Sequence, residues 1–270
     1  MGGTILQLVI YFGRIILLTL GTVVVCGLSV RLCARVFWRL LGNGADRILD
    51  VTSAIGTPIH ELGHALMCPL FCHKIKKIRL WSPTAQGGTY GYVEHSYSKK
   101  NVWAVFGNLF IGVGPIFSGL GVVVLTLCLC FPNEWSEYLN ATSAFSATGG
   151  GVRELSESVF YLLVSVVRAL GGVWWRALLG IVVILSVALH VTLSWADVRS
   201  SLIALPIYLL LSAIFAAVTF AMGVKDMVTQ ALLLFNLRVF SLFCVVIAFA
   251  AVWVVIALLI RAWRVVLKWF

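Results

Sequence analysis

Six stretches of this chain, Ile5–Val30, Ile48–Phe71, Val102–Phe131, Val173–Leu193, Leu202–Met222 and Phe240–Ile260, are apolar over roughly 20 residues or more, the length a helix needs to cross about 30 Å of hydrocarbon. Inside a bilayer no water satisfies backbone N–H and C=O groups, so such runs fold as helices whose hydrogen bonds close within the segment. The pattern predicts an all-α polytopic membrane protein, integral and multi-pass, with about six transmembrane helices. Composition agrees, because 61% of the 270 residues are hydrophobic and 11% are charged, outside the range of an ordinary soluble domain. No repeat, low-complexity tract or soluble module interrupts the runs, so residues 1–270 read as a single integral-membrane domain. The first run follows only Met-Gly-Gly-Thr, with no basic leader and no Ala-x-Ala-like end, and is expected to stay in the mature protein.

A net charge of +10 is compatible with nucleic acid in principle. The lysines and arginines, however, fall between or at the ends of the apolar runs, where they anchor helices and meet anionic headgroups. The lipid bilayer, and not nucleic acid, is the expected partner. Arg31, Arg35 and Arg39, spaced by four residues, suggest an interfacial helix whose long side chains reach headgroups. The seven cysteines sit mostly within apolar segments and read as small buried hydrophobes, not as disulfides.

Between the runs lie a basic stretch (Arg31–Arg47), a polar one (His73–Asn101), an acidic Gly/Ser-rich loop (Pro132–Ser158) and a short link (Gly223–Val239). In the polar stretch Lys74–Leu80 and Thr89–His95 are β-rich, and "SPTAQGG" between them supplies turn chemistry, so a β-hairpin is expected there. In the acidic loop, Asn140-Ala-Thr142 forms a glycosylation triplet.

Polar chemistry concentrates at "TPIHELGHALM", within an apolar run. His60 and His64 stand at i and i+4, so on a helix both imidazoles leave one face at a separation one zinc ion bridges, with Glu61 placed to work on water. The bland alternative, two core histidines and a glutamate satisfied by hydrogen bonds, gives no reason for burying all three in an apolar segment. A catalytic zinc takes three protein ligands and leaves one position open, so a third ligand must come from elsewhere. His73, His95, His190 and Asp197 are the candidates. His190, Ser194 and Asp197 share a helical spacing of i, i+4 and i+7 where an apolar run ends. Asp197 is the favoured ligand and His190 its competitor, and if Asp197 holds the metal, His190 or Ser194 is free to donate a hydrogen bond to a developing oxyanion. Each also has a structural reading: Asp197 and Ser194 as a helix cap, His190 as a bond to a neighbouring helix.

The order of H-E-x-x-H helix, hairpin with "GGTYGYV", and then "FIGVGPIFSG" in the next run resembles the site-2 protease family of intramembrane zinc metalloproteases. The resemblance covers residues 48–200, leaving 1–47 and 201–270 as accessory transmembrane helices, with no room for the PDZ or CBS module of some members. It implies one zinc per chain held by His60, His64 and Asp197, Glu61 as general base, and a transmembrane protein as substrate. "LSWADVRSSL" stands where the family carries Asn-Pro…Asp-Gly. Gly112, Gly114, Ser118 and Gly121 are expected to let their helix approach its neighbours closely, with Asn108 as a polar partner near the site. A non-proteolytic zinc-binding scaffold has no need of Glu61, and a transporter is expected to show paired broken helices in two repeats, which the sequence lacks.

Overall fold

The computed structural model describes residues 2–83, 89–148, 152–168 and 171–266. Part of the turn expected at "SPTAQGG", from Thr84 to Gly88, lies outside the described residues. The chain is mostly helical. Helix α1 (Gly2–Ile16), a π turn (Leu17–Gly21) and α2 (Thr22–Leu41) form one apolar rod, followed by α3 (Asn43–Leu70), strands β1 (Lys74–Arg79) and β2 (Tyr92–Ser96), and α4 (Val102–Cys130). Then come α5 (Pro132–Thr148), α6 (Val152–Arg168), α7 (Trp174–His190), α8 (Trp195–Ala221) and α9 (Lys225–Val266).

Among the described residues four helices are long and apolar enough to cross a membrane: the rod from Gly3 to Leu41, α4, α8 and α9. Helix α3 has the length but breaks its apolar run with Asp46, Arg47, Asp50 and the His60–Glu61–His64 group. Helix α7, with 17 residues, spans only about 26 Å at 1.5 Å per residue. Arg31, Arg35 and Arg39 ride on the continuation of the first apolar helix and form no separate interfacial helix.

Two segments expected to be irregular are helical. The acidic stretch after Pro132 folds as α5 and α6, because Trp135, Tyr138 and Thr142 give α5 an inward face that its Gly/Ser-rich, acidic composition hides. The Tyr138 hydroxyl bonds Ser241 of α9, and Thr142, buried within the glycosylation triplet, donates to the Tyr138 carbonyl at 3.1 Å. The link at Gly223 shrinks to a turn: Gly223 adopts φ 72°, its N–H bonds the Phe220 carbonyl at 3.1 Å, and α9 begins at Lys225. A positive φ at the residue ending a helix is where glycine avoids the steric penalty of a side chain.

Helix α4 is the hub, and its small residues set the distances. A Cβ built on Gly114 falls 2.4 Å from the Gly63 carbonyl oxygen, and one built on Gly63 falls 2.5 Å from the Gly114 carbonyl, so α3 and α4 cross backbone against backbone. Gly112 does the same for α8, its Cβ position lying 2.6 Å from the Asp197 carbonyl oxygen. The Ser118 hydroxyl donates to the Ile59 carbonyl at 2.7 Å. Three of the four small residues thus make the close approaches expected of them, while Gly121 meets nothing within 4 Å.

The expected hairpin forms, antiparallel, with its second strand starting at Tyr92 instead of Thr89. A register shift between Ile75 and Lys77 leaves Lys76 unpaired. Such a bulge resets the alternation of faces, so Lys74, Lys77 and Arg79 share one face with Tyr92 and Glu94, and Ile75 and Ile78 share the other with Val93 and His95. The hairpin folds back along α3. Trp81 Nε1 donates to Ser53 Oγ at 2.9 Å and the Tyr90 hydroxyl to Asp50 at 2.6 Å, about 30 Å up the helix from its C-terminal end. Burial and the Asp50 carboxylate push the Tyr90 phenol up to about 12, so it remains a donor.

Candidate metal centre

His60 and His64 project from one face of α3, their ring centroids 5.0 Å apart. Asp197 arrives from the first turn of α8, which Gly112 allows to lie against α4. His64 Nε2 stands 3.4 Å from Asp197 Oδ1. One donor atom from each of the three residues fits within a mutual separation of 4.8 Å.

Each of these three side chains is oriented by backbone at an interruption of a helix. His64 Nδ1 lies 2.7 Å from the Ile111 carbonyl, whose ordinary helical partner would be the N–H of residue 115, which is Pro115 and has none. His60 Nδ1 lies 2.8 Å from the carbonyl of His190, the last residue of α7, which lacks its i+4 helical donor and also accepts from the Thr192 N–H at 2.9 Å. The N–H that would continue that ladder belongs to Ser194, and it donates instead to Asp197 Oδ2 at 2.9 Å. The Ser194 hydroxyl in return accepts from the Asp197 N–H at 3.1 Å, completing a capping box. The cap fixes Asp197 through one carboxylate oxygen and leaves the other facing His64.

Carbonyl oxygens only accept, so both Nδ1 atoms carry the proton, and a neutral ring then has a bare Nε2. Two bare imidazole nitrogens and a carboxylate oxygen therefore converge. A proton on His64 would relieve its contact with Asp197 and leave His60 bare, whereas one dication satisfies all three. Imidazole and carboxylate donors in this number are the set that zinc takes at a catalytic centre with one position open, and outward hydrogen bonds from ligating histidines are the usual means of orienting them.

Glu61 is buried beside this group, and Gly91 packs against both Glu61 and Thr57. A Cβ on Gly91 falls 2.8 Å from Glu61 Cγ, so the hairpin approaches the glutamate as closely as a bare backbone permits. A cavity of about 610 Å³ opens here, bounded by His60, His64, Asp197, Glu61 and the start of β2.

The other histidines stand apart from the cluster. His190 lines the cavity, but its ring Nε2 lies 3.1 Å from Thr52 Oγ1. The Thr52 hydroxyl has already given its proton to the Ile48 carbonyl, so it accepts from His190. His73 is buried, donates from Nε2 to the Ala104 carbonyl at 2.8 Å, and pairs through Nδ1 with His95 Nδ1 at 2.9 Å. Burial, with His73 and His64 nearby, holds His95 below the ordinary imidazole value. Ser194 serves the cap. Asn108, buried in α4, donates to the Val105 carbonyl at 3.0 Å and does not reach the ligands. Sequence spacing thus picked out the three residues that converge, and missed the acceptors that aim them. Pro115, four residues after Ile111, was the legible sign of one of those acceptors. No protein-family model, curated protein or solved structure matches the chain.

Proposed function

We propose that this chain is an intramembrane zinc metalloprotease of the site-2 protease type, cleaving peptide bonds of membrane-embedded protein substrates, with α3 and α7 joining the four long apolar helices to give about six crossings. The observation that carries the proposal is the convergence of one possible ligand atom each from His60, His64 and Asp197 beside a buried glutamate. A zinc ion held by His60, His64 and Asp197 supplies a Lewis acid that polarises a carbonyl and acidifies water to a pKa of about 7. Glu61 accepts the proton of the attacking water and delivers it to the leaving amide nitrogen. His60 and His64 stay fixed by the His190 and Ile111 carbonyls during this transfer, and Asp197 by its own cap.

A substrate helix hides its scissile carbonyl in its own hydrogen bonds and must be unwound first. Strand β2 pairs with β1 on one edge and contributes Tyr92 and Val93 to the cavity wall, which suits it to receive an extended segment by strand addition. Tyr92→Pro is accordingly expected to lose most cleavage while keeping zinc, because proline removes a strand donor without touching a ligand. A variant that expresses normally and cleaves like the wild type excludes strand pairing at β2.

Zinc affinity tests the ligand assignment. Asp197→Ala should weaken binding by more than the roughly 10–100-fold that loss of an outer hydrogen-bond partner costs. His190→Ala should retain zinc, because the main-chain carbonyl that holds His60 survives the substitution. Its cleavage should be slowed by less than the 10²–10³-fold typical of a lost oxyanion donor, since its ring donor is engaged by Thr52. Zinc lost with His190 and kept without Asp197 transfers the ligand role to His190.

A further inference from the structure

We infer that Pro115 is a positioning residue for His64 and acts through the N–H it lacks, an inference that rests on His64 being a metal ligand. In an uninterrupted helix each carbonyl receives the N–H four residues ahead. At residue 115 proline removes that donor, and its ring pushes against the carbonyl of Ile111. The freed oxygen lies 2.7 Å from His64 Nδ1, and the crossing at which this happens is the Gly63–Gly114 contact, where no side chain separates the two backbones. A Cβ placed on Gly63 would fall 2.6 Å from Pro115 N, so the proline nitrogen itself faces the H-E-x-x-H turn of α3. A residue with an N–H at 115 would turn the Ile111 carbonyl back into its own helix and make it share its lone pairs. His64 would then lose the acceptor that keeps the proton on Nδ1 and leaves Nε2 bare toward Asp197.

The same helix keeps its shape by a separate contact: the Ser118 hydroxyl donates to the Ile59 carbonyl at 2.7 Å and lies 3.1 Å from the Pro115 carbonyl. Neither bond involves the nitrogen of residue 115, so both survive a change there.

The experiment compares four forms of the full chain purified in detergent: wild type, Pro115→Ala, a chain carrying the α-hydroxy analogue of alanine at 115, and Pro206→Ala in α8. The α-hydroxy analogue has the alanine side chain with an ester oxygen where the N–H would be. Zinc affinity is measured by competition with a chromophoric chelator, and melting of the metal-free protein reports folding. Pro115→Ala should bind zinc roughly 10–100-fold more weakly than wild type, and the ester form should recover most of that loss although its side chain is still alanine. Pro206→Ala should bind as wild type does. Equal affinities for the alanine and ester forms overturn the inference, whether both are weak or both are strong, because only the N–H distinguishes them. A wild-type chain that binds no zinc overturns this inference together with the protease proposal, whereas tight zinc binding with no cleavage removes the protease proposal alone.

Discussion

Glu61→Gln is expected to hold one zinc per chain and to cleave roughly 10³-fold more slowly than wild type, within the range that loss of a general base produces. The amide keeps the volume and shape of the carboxylate, so the packing against Gly91 is undisturbed. It cannot accept a proton, however, and water then has to be deprotonated without a base. His60→Ala and His64→Ala should behave differently, losing metal and cleavage together, since these side chains supply the donors. Elemental analysis and single-turnover cleavage of a transmembrane peptide, run on the same preparations, separate the two patterns. A zinc-replete Glu61→Gln protein with wild-type turnover would end the assignment of Glu61 as the base.

Gly114→Leu is expected to damage the whole centre from a position with no polar atom in its side chain. Its Cβ would have to stand 2.4 Å from the Gly63 carbonyl oxygen and 2.8 Å from the Gly63 carbonyl carbon. Both atoms are backbone in the middle of a helix, so neither moves aside as a flexible side chain could. Relieving the clash means separating α3 from α4, at the 1–3 kcal/mol or more typical of overpacking. That separation also draws the Ile111 carbonyl away from His64. The variant should therefore melt lower and bind zinc weakly. Gly121→Leu on the same helix is the control, because nothing lies within 4 Å of its Cβ position. If Gly114→Leu melts and binds zinc like the Gly121 variant, the backbone crossing is not what sets the site.

The parts of this protein that could be read from sequence are those where side-chain identity carries the information. H-E-x-x-H spacing marks His60, Glu61 and His64, a carboxylate at the end of an apolar run marks Asp197, and Gly112, Gly114 and Ser118 mark the face on which α4 meets its neighbours. The two structural readings weighed for Asp197, cap or ligand, prove compatible, because each needs only one carboxylate oxygen. Less legible were features made by backbone. That His60 should bond a carbonyl of His190 follows from where α7 ends, and no residue type announces it. The stretch from Pro132 to Ser158 misled because serine, glycine and acidic residues resemble a loop, whereas packing of Tyr138 against α9 holds Pro132–Thr148 helical; residues 149–151 lie outside the described residues. Helix propensity is a weak prior that tertiary contacts override.

Four residues, Val191 to Ser194, join α7 to α8. One end of that link carries the carbonyl that aims His60, and the other carries the N–H that clamps Asp197. The two candidate ligands therefore share one ruler although they lie 137 positions apart in sequence. The link is not helical, and its Ser194 is extended, so adding or deleting a single residue in it would shift the start of α8 relative to α7 by up to about 3.5 Å. Asp197 would swing out of the cavity, and the His190 carbonyl would regain a helical donor or lose its aim. Surface loops usually tolerate changes of length at little cost, but here length is itself part of the candidate metal centre. Insertion scanning along the chain should find this short connection as intolerant as the histidines themselves.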